Sequence, residues 1–156
     1  MSSSLSVFER IRAKLDEAGI VYCLAHHVPV VTSEEAARVR GVDLHSGAKA
    51  LVMQGDKSKK HVLLVLPADL RLDKKKVKMV LGESVSFAAD PVTVTSCVRG
   101  SVPPFGSVLG LPTYCDQRLS ENEVINFNAG SLTDSIRMRC EDYLRLECPR
   151  VVDIVE

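Results

Sequence analysis

The sequence lacks several features on which particular folds and functions depend. It contains no Trp, three Tyr and four Phe, so aliphatic side chains must fill most of its core. Its 20 basic and 20 acidic residues leave a formal net charge of zero. That balance argues against a protein that coats long nucleic acids, because such binding depends on neutralising many phosphates. It leaves room for contact with the short end of an RNA.

Cysteine use gives no sign of a metal centre or a disulfide framework. The cysteines are odd in number and no two have CxxC spacing, which disfavours both a zinc site and a set of disulfides. We therefore expect buried free thiols in a reducing compartment, with no metal and no cofactor. They are Cys23, Cys97, Cys115, Cys140 and Cys148.

Long apolar runs are also missing. The longest aliphatic stretch, residues 62–66, is far too short to span a bilayer. The Ser-rich start reaches Glu9 without the apolar region that a signal peptide needs. We expect a cytoplasmic protein that has no membrane partner.

What is present fits one α/β (α+β) domain over residues 1–156, since halves of this chain would be too small for good cores. Capping boxes at Ser6/Glu9 and Thr32/Glu35 predict two helix starts. Strands and helices are interleaved without a regular order, which predicts a mixed, barrel-like β-sheet surrounded by short helices. Further helices are expected after Asp73, after Asp90 and over residues 141–146, and strands over residues 20–25, 49–54, 61–66, 85–88, 108–114, 124–127 and 135–139.

The common catalytic signatures are absent too. The chain has no GxSxG, no HExxH, no GxxxxGK[ST] and no GxGxxG after a strand. A hydrolase built on this sequence must therefore use other groups. Three places could carry such chemistry: Lys49, residues 100–106 and residues 127–131.

Lys49 opens an apolar strand. A Lys at a strand edge is most often solvated, but a partly desolvated one is a fixed positive charge that can bind a phosphate or stabilise an oxyanion. Residues 100–106, GSVPPFG, cannot be regular structure. They form either a rigid connecting turn or a cradle in which the N–H groups of Gly100, Ser101 and Val102 point at a carbonyl oxygen while Pro103 and Pro104 hold the loop still.

Residues 127–131, FNAGS, form the third place. They are either a plain turn after a strand or a point where Gly130 lets backbone approach a ligand. Taken alone, each of the three places has an ordinary structural explanation.

Their order along the chain is more specific. HHVPVVTSEEA at residues 26–36, GAKAL at 47–51, GSVPPFG at 100–106 and FNAGSLTDSIRM at 127–138 together resemble the YbaK/ProX family of aminoacyl-tRNA deacylases. This family includes the editing domain associated with prolyl-tRNA synthetases. The resemblance covers nearly the whole chain.

The resemblance implies hydrolysis of the ester between a wrong amino acid and the terminal adenosine of proline tRNA, with Ala the first expectation and Cys or Ser behind it. Lys49 matches the family's essential Lys, and Gly100 and Pro104 match the ends of its GxxxP loop. The substrate's own ribose hydroxyl, instead of an enzyme nucleophile, is expected to assist attack. We expect the amino-acid pocket to be lined by Val30, Thr32, Val102 and Ser131.

One departure bears on the amino acid removed. Some relatives that remove Ala carry a His after the Gly of the NAG turn, where this chain has Ser131. The partners expected are the acceptor end of proline tRNA and, in trans or fused, prolyl-tRNA synthetase. The rival hypotheses are a domain that binds tRNA or a synthetase without cleaving, and a structural piece of a larger synthetase.

Overall fold

A computed structural model describes residues 5–30 and 32–156. The Ser-rich residues 1–4 and Val31, which belongs to the motif at residues 26–36, lie outside this described part. The helices are α1 Val7–Glu17, α2 Ser33–Arg40, α3 Lys74–Leu81, α4 Pro91–Thr95, α5 Gly106–Leu109 and α6 Cys140–Glu147. The strands are β1 Tyr22–His26, β2 Ala48–Gly55, β3 His61–Pro67, β4 Val85–Phe87, β5 Thr113–Asp116, β6 Val124–Asn128, β7 Asp134–Arg139 and β8 Arg150–Val152. Short 3₁₀ turns cover Leu44–Ser46 and Gln117–Glu121.

Local signals in the sequence fix where the first helices begin. The side chain of Ser6 accepts from the N–H of Glu9, and that of Thr32 accepts from the N–H of Glu35; each glutamate carboxylate in turn accepts from the N–H of the capping residue. Both capping boxes are thus confirmed. Gly41 ends α2 in the left-handed region at a φ of 69°, a conformation that costs glycine little because it has no Cβ.

The strands form two sheets. One is antiparallel, in the order β1-β7-β6, and the other is mixed, in the order β4-β2-β3-β5-β8. The predicted hairpin is β2 and β3, paired antiparallel from Ala48 opposite Pro67 to Gln54 opposite His61. The predicted mixed α/β fold is confirmed, but its barrel-like detail is not, because the described strands form two sheets and no closed barrel. An isolated parallel bridge between Gly47 and Asn126 joins the two sheets at one point.

The strand predicted over residues 108–114 begins later, at Thr113. Residues 106–109 instead form the helical turn α5, although the apolar residues Val108, Leu109 and Leu111 favoured a strand. Gly106 permits the turn, because a Cβ at this position would lie 1.7 Å from Oγ1 of Thr113. The loop predicted over residues 100–106 therefore stops one residue earlier.

The main core lies between the two sheets and the helices that cover them. It contains Ile11 and Leu15 of α1, Leu63 and Val65 of β3, and Ile125 of β6. A smaller cluster packs α3 onto the other face of the five-stranded sheet. Of the cysteines, Cys97, Cys115 and Cys140 are buried as expected. Cys23 and Cys148 are exposed, because Cys23 lies on the solvent-exposed edge strand β1 and Cys148 caps the C-terminal end of α6.

Within the part of the chain that the structure describes, no helix combines the length and apolar character needed to cross a membrane.

Candidate active site

A cavity of about 590 Å³ opens where the two sheets meet. Its walls come from α2, the start of β2, the segment running from β4 into α4, the loop before α5, and the end of β6. This volume is in the range of small-molecule sites in proteins. It is large enough for an aminoacyl group together with part of the nucleoside that carries it.

The cavity brings together some of the residues predicted from the sequence and leaves others outside. Thr32, Lys49, Gly100 and Val102 line it. Residues outside its lining are Val30, Ser101, Pro103, Pro104, Gly130 and Ser131. The strand-edge Lys and the Gly/Pro-rich loop, although about fifty residues apart in sequence, thus face one space.

Lys49 is half-buried at the start of β2, and its Nζ donates to the carbonyl oxygen of Leu70 at 3.3 Å. Burial lowers the pKa of Lys49, and the positive charge of Arg71 acts in the same direction, while Glu34 and Asp69 oppose it. A partly dehydrated ammonium group interacts more strongly with an anion than a solvated one does. Lys49 is therefore suited to hold a phosphate or a developing negative charge.

The loop before α5 is held rigidly from several sides. The N–H of Ser101 donates to the carbonyl of Val98 at 3.0 Å and its Oγ donates to the same oxygen at 2.7 Å. The buried Tyr143 hydroxyl donates to the carbonyl of Pro104 at 2.7 Å. The Ser101 amide of the predicted cradle is thus already bonded within the turn. Gly100 and Val102 remain as the candidate donors that line the cavity.

Gly130 and Ser131 lie outside the lining of the cavity, and Gly130 contacts the loop before α5. The N–H of Gly130 donates to the carbonyl of Ser101 at 3.0 Å. A Cβ at Gly130, whose φ is 85°, would lie 2.8 Å from Cγ1 of Val7, so a close approach to α1 accounts for the glycine. Ser131 closes a turn by accepting from the N–H of Thr133 at 3.0 Å. Val30 is buried and donates through its N–H to Leu132.

Sequence reasoning missed Arg40, the last residue of α2, which also lines the cavity. Its guanidinium donates to Oγ of Ser135 and Oδ1 of Asn126, each at 2.7 Å, and to Oδ1 of Asn128. Burial lowers the pKa of Arg40 to about 10. These partners lie 86–95 residues away in sequence, so no local pattern could have shown the contact. The asparagine pair two residues apart on β6 was the one available hint.

The arrangement defines an α/β domain whose cavity combines a partly dehydrated Lys with a rigid Gly/Pro-rich loop. Comparison with known proteins identifies the family. Residues 27–146 match the family described as the aminoacyl-tRNA editing domain, and the chain belongs to this family.

Individual relatives agree with the assignment. The chain is 33% identical over 98% of its length, and 95% of the relative, to the multifunctional Ser/Thr-tRNA deacylase ProXp-y of Escherichia coli strain K12. It is 32% identical to the prolyl-tRNA editing protein ProX of Acetoanaerobium sticklandii, over 63% of this chain and 62% of that protein. A crystal structure described as a candidate trans-editing enzyme for prolyl tRNA synthetase superposes with a TM-score of 0.82 at 26% identity, covering 98% and 99% of the two chains.

The predicted family and the predicted reaction class, deacylation of aminoacyl-tRNA, are thereby confirmed.

Proposed function

We propose that the chain removes small, wrongly attached amino acids from the acceptor end of tRNA, with Ser on proline tRNA as the preferred substrate. The observation that supports this most is the shared cavity of Lys49 and the Gly100 loop. The sequence alone favoured Ala. Two observations move Ser ahead of Ala, with Thr and Cys as further candidates. Thr32 and Ser33 give one wall of the cavity polar side chains, and the Escherichia coli relative is named for Ser and Thr.

The proposed reaction is hydrolysis of the ester between the amino acid and the terminal ribose. A water molecule attacks the acyl carbon, and the substrate's free ribose hydroxyl relays the proton: it accepts one from the water as it gives its own to the leaving ribose oxygen. The bond from the acyl carbon to the ribose oxygen then breaks, and that oxygen takes up a proton. The products are a free amino acid and a tRNA with both terminal hydroxyls restored.

The residues of the cavity have separate tasks in this step. The backbone N–H groups of Gly100 and Val102 stabilise the negative oxygen that develops on the acyl carbon; loss of one such donor typically costs about 10²–10³ in rate. Lys49 binds the phosphate of the last nucleotide, so that binding energy from the RNA end orients the ester. Selection against the correct amino acid follows from steric exclusion of the proline ring at the wall formed by Thr32 and Val102.

The rim of the cavity offers a place for the RNA itself. Phe87 lines the cavity, yet 67% of its surface is exposed, and Arg99 beside the loop is exposed as well. An exposed aromatic ring is a stacking surface for an unpaired base, and a nearby cation can bind its phosphate. A partner synthetase, prolyl-tRNA synthetase above all, would deliver the mischarged end to this rim.

A panel of mischarged tRNAs tests the proposal. Ser, Thr, Ala, Cys and Pro are each attached to proline tRNA, Ser is also attached to serine tRNA, and release of the radiolabelled amino acid is followed over time. We expect Ser on proline tRNA to decay fastest, with correctly charged Pro and Ser tRNAs protected. Decay of every substrate at the buffer rate, while the protein binds tRNA, would instead identify a non-catalytic binding module. Faster decay of the Ala substrate would instead identify Ala as the preferred amino acid, as the sequence predicted.

A further inference from the structure

The strongest unexplained feature of the molecule is the hydrogen-bonding pattern around Arg40. Its guanidinium donates to Ser135, Asn126 and Asn128, all of them uncharged acceptors. Within residues 5–30 and 32–156, none of its hydrogen bonds or ion pairs is to a carboxylate. Burying a guanidinium without a counter-charge is costly, and the lowered pKa of Arg40 reflects that cost. Fold stability alone would be served better by an apolar side chain or an ion pair.

The two asparagines connect Arg40 to two separate segments, the turn before β2 and the loop before α5. Asn126 accepts from Arg40 and donates through Nδ2 to Oγ of Ser46 at 2.8 Å. Asn128 accepts from Arg40 and donates through Nδ2 to the carbonyl of Gly100. The residues are two apart on β6 and therefore share one face of the strand. Each amide is fully oriented, because its oxygen and its nitrogen have separate partners.

The two segments that the asparagines contact carry the groups proposed to act on the substrate. Ser46 lies three residues before Lys49 and is followed by Gly47, which forms the bridge to Asn126. Gly100 opens the loop that lines the cavity together with Val102. From this geometry we infer that Arg40 is a positioning residue, one that fixes the distance between the Lys49 strand and the Gly100 loop. The inference rests on the proposed function for its effect on the reaction.

The planar fork of Arg40 is what the arrangement requires. Three acceptors on two strands are met by three separate guanidinium nitrogens, which an ammonium group on a flexible stem cannot reproduce with the same geometry. Loss of the fork leaves Lys49 and the loop present but free to shift relative to each other. A displacement of about 1 Å at such a site can cost on the order of 10² in rate.

The test compares Arg40→Lys with Arg38→Lys, a matched change at an exposed position of the same helix. For Arg40→Lys we expect kcat on the preferred mischarged tRNA to fall by about 10–100-fold and KM to change by less than about threefold. Arg38→Lys should leave both unchanged. Guanidinium ion added to Arg40→Ala should restore part of kcat. Unchanged kcat in Arg40→Lys, or a rise in KM alone, would overturn the inference, since the latter indicates direct contact with the RNA.

A second variant and a readout independent of catalysis keep the inference testable if Arg40 variants fold poorly. Asn128→Ala cuts the connection to Gly100 while leaving Arg40 in place, and should lower kcat in the same way. In a double-mutant cycle its effect should not add to that of Arg40→Lys; full additivity would contradict an action of both residues through the same hydrogen bonds.

The NMR chemical shifts of the Gly100 and Lys49 amides give a readout that does not depend on catalysis. Both should change in Arg40→Lys and remain unchanged in Arg38→Lys. If the wild type cleaves no substrate, the proposed function fails, whereas unmoved shifts reject the positioning role.

Discussion

Two partly buried arginines of this molecule have opposite surroundings. Arg118 donates to Asp153 at 2.9 Å and contacts Asp116 at 3.4 Å, and its hydrogen bond to Asp153 is the main reason that the pKa of Arg118 is raised. Arg40 has amides and a hydroxyl as acceptors, and its pKa falls to about 10. Around Arg118 the opposite charges are paired. These ion pairs link Asp153, near the end of the chain, to Asp116 at the end of β5. Around Arg40 the described residues offer no carboxylate partner, and its hydrogen bonds hold β6 and β7 together beside the cavity.

The sharpest test of this comparison is to remove Lys49, the partly buried lysine that lines the same cavity as Arg40. Lys49→Ala should lower kcat/KM for deacylation by about 10²–10³-fold, because the fixed charge that holds the phosphate is lost. The melting temperature should stay within about 4 °C of the wild type. Lys78→Ala, on the exposed side of α3, is the control. Wild-type activity in Lys49→Ala would remove this residue from the mechanism.

Around Arg118, the comparison predicts that a substitution lowers the stability of the protein and leaves its activity largely unchanged. Asp116 is 1% exposed and accepts from the N–H groups of Ile154 at 2.8 Å and Arg118 at 2.9 Å. Asp116→Ala leaves those donors unpaired and should lower the free energy of unfolding by about 3 kcal/mol in urea titrations. Asp116→Asn, which keeps an acceptor oxygen, should lose less. A fall in kcat of the folded variant as large as that of Lys49→Ala would show that the two regions are not separate.

A smaller effect is expected at the rim of the cavity. Phe87→Ala should raise KM by about tenfold with kcat nearly unchanged, since stacking on a base contributes about 1–3 kcal/mol. Phe87→Trp should retain or improve binding. Met79→Ala, at a side chain that is 84% exposed on α3, serves as the control. Equal KM values for the Ala and Trp variants would exclude stacking.

The smallest predicted effect concerns His45, a titratable residue near the cavity whose ring nitrogens contact the carboxylates of Asp69 and Glu121. The hydrogen bond to Asp69 is the main reason that the pKa of His45 is raised, and Glu121 adds to it. A raised pKa in the folded state stabilises the protein fully below the unfolded value, and this stabilisation disappears as the pH rises through the folded value. Relative to His45→Gln, the wild type should gain a few tenths of a kcal/mol at pH 5.5 and nothing at pH 9. Urea midpoints across this range measure it, and a pH-independent difference would contradict it.

Features set by neighbouring residues could be predicted from the sequence. The capping residues Ser6 and Thr32 and the hairpin of β2 and β3 depend on contacts within a few residues, and each was predicted correctly. The split into two sheets depends on pairings between distant strands, such as β1 with β7, which periodicity does not specify. The turn α5 was mistaken for a strand because its apolar residues fit either structure.

The same distinction between local and distant contacts separates the site residues that could be predicted from those that could not. Lys49 and the Gly100 loop were predicted because each belongs to a contiguous motif, and the structure places both at one cavity. Ser101 was assigned a donor role that its own turn already uses. Arg40 was missed, since its meaning comes from three residues far along the chain. Contiguous motifs thus identified residues that meet at the cavity, whereas the contacts of Arg40 depend on how distant strands pair.

The hydroxyl of Tyr143 on the carbonyl of Pro104 has a consequence for heat resistance. Tyr143 is fully buried and forms an aromatic cluster with Phe105 and Phe127, at ring-centroid distances of 5.7 Å from Phe105 to Tyr143 and 5.4 Å from Phe105 to Phe127. The loop before α5 is therefore anchored in the most protected part of the molecule, so it cannot open without disturbing the aromatic cluster. Warming should leave this loop intact until the whole domain melts, and the enzyme should stop working at the temperature at which it unfolds.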